Sequence, residues 1–473
     1  MDGIRRMKLS ASEARCTLWV AACFALTSGV YLAWVHRLVE LRGDWGVDWL
    51  TMVSGYLCQA IGLALVCRTR RVSQARRVSR GIDRRRWFAV ALALFAAFSV
   101  PALAGDRFAG TAVFGLLMNV ACGIIAGLYL YGVSAVSGDG RGSLPFGAGY
   151  AIATFAVGLL ALPAKGALLK SPGACILGLA GCGGLALASR RSRFFDAQAQ
   201  EDPPASALPD LPMKTLALAC GAVLLPSMVK NMGFTFPVSD IAAGLPLELS
   251  RLPYGIGLLA AGWINDRDRK YGILCAIIAL SVPFVMLSVQ SEPIPRVVLW
   301  GLDYLFYSFF TVTRVMLFID IAHKTRRWAL VPAGLLAGRL GDAAGTAIGL
   351  LLAQERLALI LVTALGYALG VVLLFRLWQS LYGPRPAEGR SEQEVFEAFC
   401  LRHDLTLRER DILRMLLENR TNTDIAEGLF ISENTVKYHV RNVLQKTGCK
   451  NRVDLQKRYK LALYPHLGAS QEG

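Results

Sequence analysis

Apolar runs long enough to cross a bilayer recur at about 16–35, 47–67, 87–103, 111–134, 146–162, 171–188, 216–236, 252–264, 271–288, 297–321, 328–352 and 358–378. A helix needs about 20 mostly apolar residues to span the hydrocarbon core. The pattern therefore predicts an all-α polytopic membrane helix bundle of about 12 spans over residues 1–378, with the eighth run the shortest. Beyond residue 378 the pattern changes. Short amphipathic segments at helical spacing, each opened by a capping residue, predict a soluble four-helix domain at 404–473, reached through a linker with a short helix at 379–403.

Within the linker, Gly383, Pro384 and Pro386 end the last span. Ser391 with Glu394 forms a capping box for the short helix, which carries Val395, Phe396 and Phe399. Thr406 with Glu409 opens the next helix, apolar at Ile412, Leu413, Leu416 and Leu417. Asn419 is placed to end it in a left-handed conformation. Thr421 caps a helix over 422–429, with Asp424 in its first turn, and Ser432 caps another over 433–446 that stops at Gly448. A last helix runs over 451–462. Two short helices joined by a tight turn make a helix-turn-helix.

Along this stretch Glu409, Ile425, Ala426, Ser432, Thr435, Val436, Lys437, His439, Lys446, Gly448, Asn451 and Arg452 fall in one register. The segment resembles the DNA-binding domain of LuxR/GerE-type transcription regulators, with Leu407 in place of a frequent Pro and Asn419 in place of a usual Gly. Val436, Val440 and Val443 share the inner face of the third helix, toward Ile425, Ala426 and Leu429, which leaves Lys437, Tyr438 and Arg441 outside. The resemblance implies base contacts by those three residues. Thr421, Asn422, Ser432, Thr435 and Lys446 are placed for phosphates. It also implies dimerisation through the fourth helix, with Val453, Leu455 and Tyr459 as candidates. Charge is focused to suit: residues 391–473 hold 13 Lys and Arg against 12 Asp and Glu, whereas residues 433–460 hold 8 against 2.

The membrane part has a midpoint. Residues 189–215 form its longest polar segment, with Pro203, Pro204, Pro209 and Pro212, and divide it into halves 1–188 and 216–378 of six spans each. An even span count puts both termini on one side, which must be cytoplasmic for a tail that binds DNA. The inner segments then hold 24 Lys and Arg and the outer loops 8, in accord with the positive-inside rule. Nine of the arginines lie in one loop, 68–86, which reads as topogenic and lipid-facing. The six-plus-six layout, and a loop with Gly262, Asp266, Arg267, Arg269 and Lys270 after the eighth span, resemble the major facilitator superfamily. The corresponding loop of the first half has lost the pattern.

Polar groups inside spans mark function or pairing. Asp303, Tyr307, Phe310 and Arg314 share one face of the tenth span; Lys230 and Asn231 lie in the seventh; Arg339 and Asp342 are spaced to pair in the eleventh. In the facilitator layout the first, fourth, seventh and tenth spans line a central cavity. That makes Tyr31, Asn119, Lys230, Asn231, Asp303, Tyr307 and Arg314 the candidate ligand contacts, with mutual pairing of the ions as the competing account. Two cations there would suit an anionic ligand such as a carboxylate.

The 11 cysteines show no CxxC pair and no Cys/His ligand spacing, so no metal or cofactor is expected. No nucleophile–base set or phosphate loop points to an enzyme. The whole resembles a membrane-bound LuxR-type regulator with a facilitator-like domain. It is expected in a bacterial inner (cytoplasmic) membrane, multi-pass, with both termini cytoplasmic, a small-molecule ligand, double-stranded DNA as partner, and homodimerisation on DNA. A working facilitator with a regulatory tail, or a constitutive membrane-tethered DNA anchor, are the alternatives.

Overall fold

The first helix starts where local chemistry sets it. Ser10 Oγ accepts from the Glu13 N–H at 3.2 Å while the Glu13 carboxylate accepts from the Ser10 N–H at 2.7 Å, a reciprocal cap. A computed structural model describes residues 9–43, 46–76, 84–138, 141–160, 171–192, 194, 213–233, 251–289, 296–382 and 392–463. It divides into two units, Met1–Ser380 and Leu381–Gly473. All regular structure among the described residues is helical. Residues 77–83 of loop 68–86, most of segment 189–215, and residues 383–391 with the Ser391 cap lie outside them.

The first unit runs α1 (Ala11–Arg42), a π-helical turn (Trp49–Ser54) leading into α2 (Gly55–Arg76), α3 (Arg84–Ala104), α4 (Phe108–Val136), α5 (Ser143–Leu160), α6 (Ser171–Arg191) and α7 (Met213–Gly233). It continues with α8 (Leu252–Arg267), α9 (Arg269–Ala279), α10 (Ser281–Val289), α11 (Arg296–Thr325), α12 (Ala333–Leu351) and α13 (Arg356–Tyr382). Each of the twelve apolar runs is matched by helix, α9 and α10 sharing the ninth. Among the described residues, ten spans are long and apolar enough by themselves to cross a membrane. The two left over are α8, only 16 residues long, and α12, which carries Arg339 and Asp342 mid-helix.

The two halves meet along α5 against α8 and along α2 against α12. Small residues make the first contact possible. A Cβ on Gly147 would collide with the Leu258 carbonyl, and one on Gly262 with Leu144 and the Ser143 carbonyl. Polar locks hold one end of this seam. Asp266, in the last turn of α8, accepts from the Ser143 and Leu144 N–H groups at 2.8 and 2.9 Å and so caps the positive end of α5. Arg269 Nε donates to Asp320 at 3.1 Å, and Arg269 also reaches Ser143 Oγ and the Arg141 carbonyl.

The second unit contains α14 (Glu392–Arg402), α15 (Leu407–Leu417), α16 (Asn422–Leu429), α17 (Glu433–Thr447) and α18 (Arg452–Leu463). The expected caps form: Thr406 with Glu409, Thr421 with Asp424, and Ser432 accepting from the Thr435 N–H. Asn419 is left-handed, at φ 63°, as is Gly448 at φ 66°. The short helix α14 is more than part of a linker. Its Val395, Phe396, Phe399 and Cys400 belong to the same buried core as Leu413, Val436 and Leu455.

Candidate DNA-reading surface and membrane cavity

In the second unit, Val436, Val440 and Val443 are buried with Ile425 and Ala426, while Leu429 packs partly buried beside them. This clamps α17 across α16 and fixes which face it shows to solvent. Lys437, Tyr438 and Arg441 are all exposed on the opposite face, in the N-terminal half of α17 that a helix-turn-helix presents to a major groove. Lys437 keeps only a loose 3.8 Å pairing with Glu433, so its ammonium is easily redirected. Phe430, in the turn, is 95% exposed in a left-handed conformation (φ 54°).

The residues placed for phosphates divide. Thr421 and Ser432 present their hydroxyls at helix N-termini, and Ser432 Oγ lies 2.8 Å from Thr435 Oγ1. Asn422 is engaged within the domain: its Oδ1 accepts from Arg452. Lys446 likewise donates to Glu409 Oε2 at 2.7 Å and to the Asp404 carbonyl at 3.0 Å. Burial raises the Glu409 carboxyl, but the bonds from Lys446 and Thr406 outweigh it and leave Glu409 below the ordinary carboxylate value.

The fourth-helix candidates are corrected by burial. Leu455 and Tyr459 face inward; Tyr459 packs edge-on against Phe399 at 5.3 Å between ring centroids. They hold α18 to α14 and have no surface to offer a partner. Val453, 73% exposed, keeps its candidacy. Sequence periodicity could not separate the two faces because it did not count α14 as part of the core.

In the first unit a cavity of about 180 Å³ opens between the halves, lined from α1, α2, α4, α5, α7, α8, α11 and α12. Of the seven candidates, Tyr31, Lys230, Tyr307 and Arg314 line it. Asn119 does not: it accepts from Gln59 Nε2 at 2.7 Å and donates to the Gly115 carbonyl, tying α2 to α4. Asn231 is turned to α12, donating to the Asp342 carbonyl at 2.8 Å and to Thr346 Oγ1 at 2.9 Å. The two amides serve the bundle, as burial of an amide usually requires. Asp303 is buried outside the lining, and its Oδ2 has no hydrogen-bond partner among the described residues.

The cavity also has residues that the sequence reading passed over, chiefly Tyr56, Tyr254, Tyr304 and Arg251. Cations lie over tyrosine rings throughout it. Lys230 Nζ is 4.4 Å from the Tyr307 centroid, Arg314 5.5 Å from the same ring, and Arg339 4.9 Å from Tyr56. Arg339 and Asp342 pair at 3.1 Å, as their spacing predicts.

Residues 403–458 match the GerE family, described as bacterial regulatory proteins of the luxR family. The chain is 48% identical over 48 residues to the spore germination protein GerE of Bacillus subtilis. It is 43% identical over 70 residues to the probable transcriptional regulatory protein SgaR of Hyphomicrobium methylovorum, and 42% identical over 62 residues to the transcriptional regulatory protein LiaR of Bacillus subtilis. These stretches are 10%, 14% and 13% of this chain and span only 65%, 33% and 26% of those relatives. The membrane helices superpose on a Major Facilitator Superfamily transporter, FucP, in the outward conformation, with TM-score 0.54 and 12% identity, covering 77% of this chain and 98% of that one. The human organic anion transporter MFSD10 gives TM-score 0.53 and 17% identity, covering 77% and 99%. The chain thus joins a membrane unit with the major facilitator fold to a LuxR/GerE-type helix-turn-helix DNA-binding domain at residues 403–458.

Proposed function

We propose that this chain is a membrane-embedded one-component transcription regulator. A small organic anion binds the cavity between the halves of the membrane unit, shifts its conformational equilibrium, and thereby changes sequence-specific DNA binding by the tail. The observation that carries this reading is a pairing within one chain: an exposed Lys437, Tyr438 and Arg441 face in the tail, and a cation-rich cavity in a facilitator fold. Lys437 and Arg441 suit guanine O6 and N7, and Thr421, Ser432 and Thr435 suit phosphates. Val453 is our candidate for contact between two tails on DNA. The excess of positive charge in the inner segments supports cytoplasmic termini in a bacterial inner membrane. A ligand acts only through its differential affinity for two conformations of the membrane unit. The test is a map of DNA crosslinked to the full chain in its native cell, followed by a reporter fused to the enriched promoter. Ligand-dependent output supports the sensor. Equal output with and without every small molecule that binds the chain leaves a constitutive anchor. Uptake of such a molecule into proteoliposomes identifies a working transporter.

A further inference from the structure

Two guanidiniums in the cavity share one carboxylate. Asp342 Oδ2 accepts from Arg339 at 3.1 Å and from Arg314 at 3.5 Å. Arg314 is 3% exposed; it donates a further long 3.5 Å bond to Ser227 Oγ and lies over the Tyr307 and Phe310 rings. Its Nε has no acceptor among the described residues, and Asp342 Oδ1 has no donor. A guanidinium carries five donors in a planar fork matched to a carboxylate. Here the Nε donor of Arg314 is idle at a depth where an underserved cation is costly.

Both arginines line the cavity. They also lie where a ligand would touch both halves, because Arg339 and Arg314 come from α12 and α11 while the ring under Arg339, Tyr56, comes from α2. Lys230, over the Tyr307 ring it shares with Arg314, adds positive charge beside them. Two guanidiniums against one carboxylate leave one positive charge for a ligand to balance. The cavity is close in size to the roughly 150 Å³ that accepts benzene, which limits the ligand to a small molecule.

We propose that Arg314 and Arg339 form a two-armed clamp for the carboxylate of a small organic acid, and that Asp342 is the built-in counter-ion which that carboxylate displaces. Resting on the cavity reading above, this assigns the ligand its charged group and gives the unliganded state its internal lock. Asn231, through the Asp342 carbonyl and Thr346, anchors the turn of α12 that carries the lock.

The full chain in nanodiscs tests this, with acetate as the minimal carboxylate and acetamide as its uncharged counterpart, at constant ionic strength. Acetate should raise the thermal midpoint of the wild type and acetamide should not. Asp342→Asn, which removes the competing charge and keeps one acceptor oxygen, should bind acetate at least tenfold more tightly. Arg339→Gln should weaken acetate binding at least tenfold, and Arg339→Lys should restore part of it. Equal effects of acetate and acetamide on both the wild type and Asp342→Asn overturn the clamp. A reporter measured in parallel separates the two ideas. An acetate-selective clamp with reporter output unmoved by Asp342→Asn overturns the sensor reading alone. Shifted output without any acetate selectivity overturns the clamp alone.

Discussion

Lys446, in the last turn of α17, donates to Glu409, in the first turn of α15, across 2.7 Å. The two residues are 37 positions apart, and the Glu409 side chain is only 4% exposed. Glu409 also closes the Thr406 cap, so one carboxylate fixes the start of α15 and the end of α17 together. Glu409→Gln keeps the shape and removes the charge. It should cost about 1–3 kcal/mol, the range for a hydrogen bond to a charged group left poorly matched. Urea unfolding of the tail checks this; a midpoint unchanged from wild type would show that the pair contributes nothing.

The same carboxylate and His403 set the acid stability of the tail. Glu409 is held below its ordinary value despite burial, so its contribution is fully present above the unfolded carboxylate pKa and fades as pH falls through the lower folded one. Burial lowers His403 from 6.5, so the folded domain prefers the neutral ring and loses stability as acid forces a proton on. Stability should therefore be level down to about pH 6.5, then fall in two stages. In thermal melts across pH, His403→Gln should flatten the upper stage, and Glu409→Gln should shrink the lower one, to which Asp424, also held below its ordinary value by bonds from Thr421, contributes.

Because α14 supplies Val395, Phe396, Phe399 and Cys400 to the core, the boundary of a folding fragment is set by that helix. A fragment beginning at 391 should fold and bind the same DNA as the full chain. One beginning at 404 should not, since each large apolar side chain lost from a core removes about 1.5–3 kcal/mol from a total of only 5–15. Circular dichroism and thermal melts of the two fragments decide it; a cooperative melt of the shorter one would refute the role given to α14.

Lys437 and Arg441 stand clear of the core on α17, so their removal should spare the fold. Lys437→Ala with Arg441→Ala should weaken target binding by about 2–6 kcal/mol if each reads a guanine. Footprinting of the double variant on the crosslinked promoter, beside a melt equal to wild type, is the measurement. An unchanged footprint would move base reading elsewhere on the domain.

Much of this was legible from the chain because the signals are local. A twenty-residue apolar run announces a span, and Thr406, Thr421 and Ser432 announce helix starts within three residues of their partners. The i, i+3 pair Arg339 and Asp342 was legible for the same reason. What stayed hidden depends on tertiary neighbours. A tyrosine such as Tyr56 or Tyr254 within an apolar run reads as core until helices from the other half close around it. Asn119 reads as a ligand contact until Gln59, 60 positions away, is found bonded to it. Leu455 and Tyr459 read as a dimer face only while α14 is left out of the domain.

That last misreading turns into a contrast between neighbours on α18. Val453 is exposed and Leu455, two residues on, is fully buried. If tails pair on DNA through this helix, Val453→Asp should weaken the dimer while leaving the monomer intact, because exposed positions tolerate change within about 0.5 kcal/mol. Leu455→Ala should do the reverse at first sight, costing about 2–5 kcal/mol of folding stability by opening a cavity under α18. Any loss of DNA binding by Leu455→Ala should then vanish at temperatures where the variant is still folded, whereas the loss in Val453→Asp should persist and shrink as protein concentration rises. Sedimentation on a DNA fragment with two half-sites, run at several concentrations, separates the two. A concentration-independent defect in Val453→Asp would take the dimer contact away from α18.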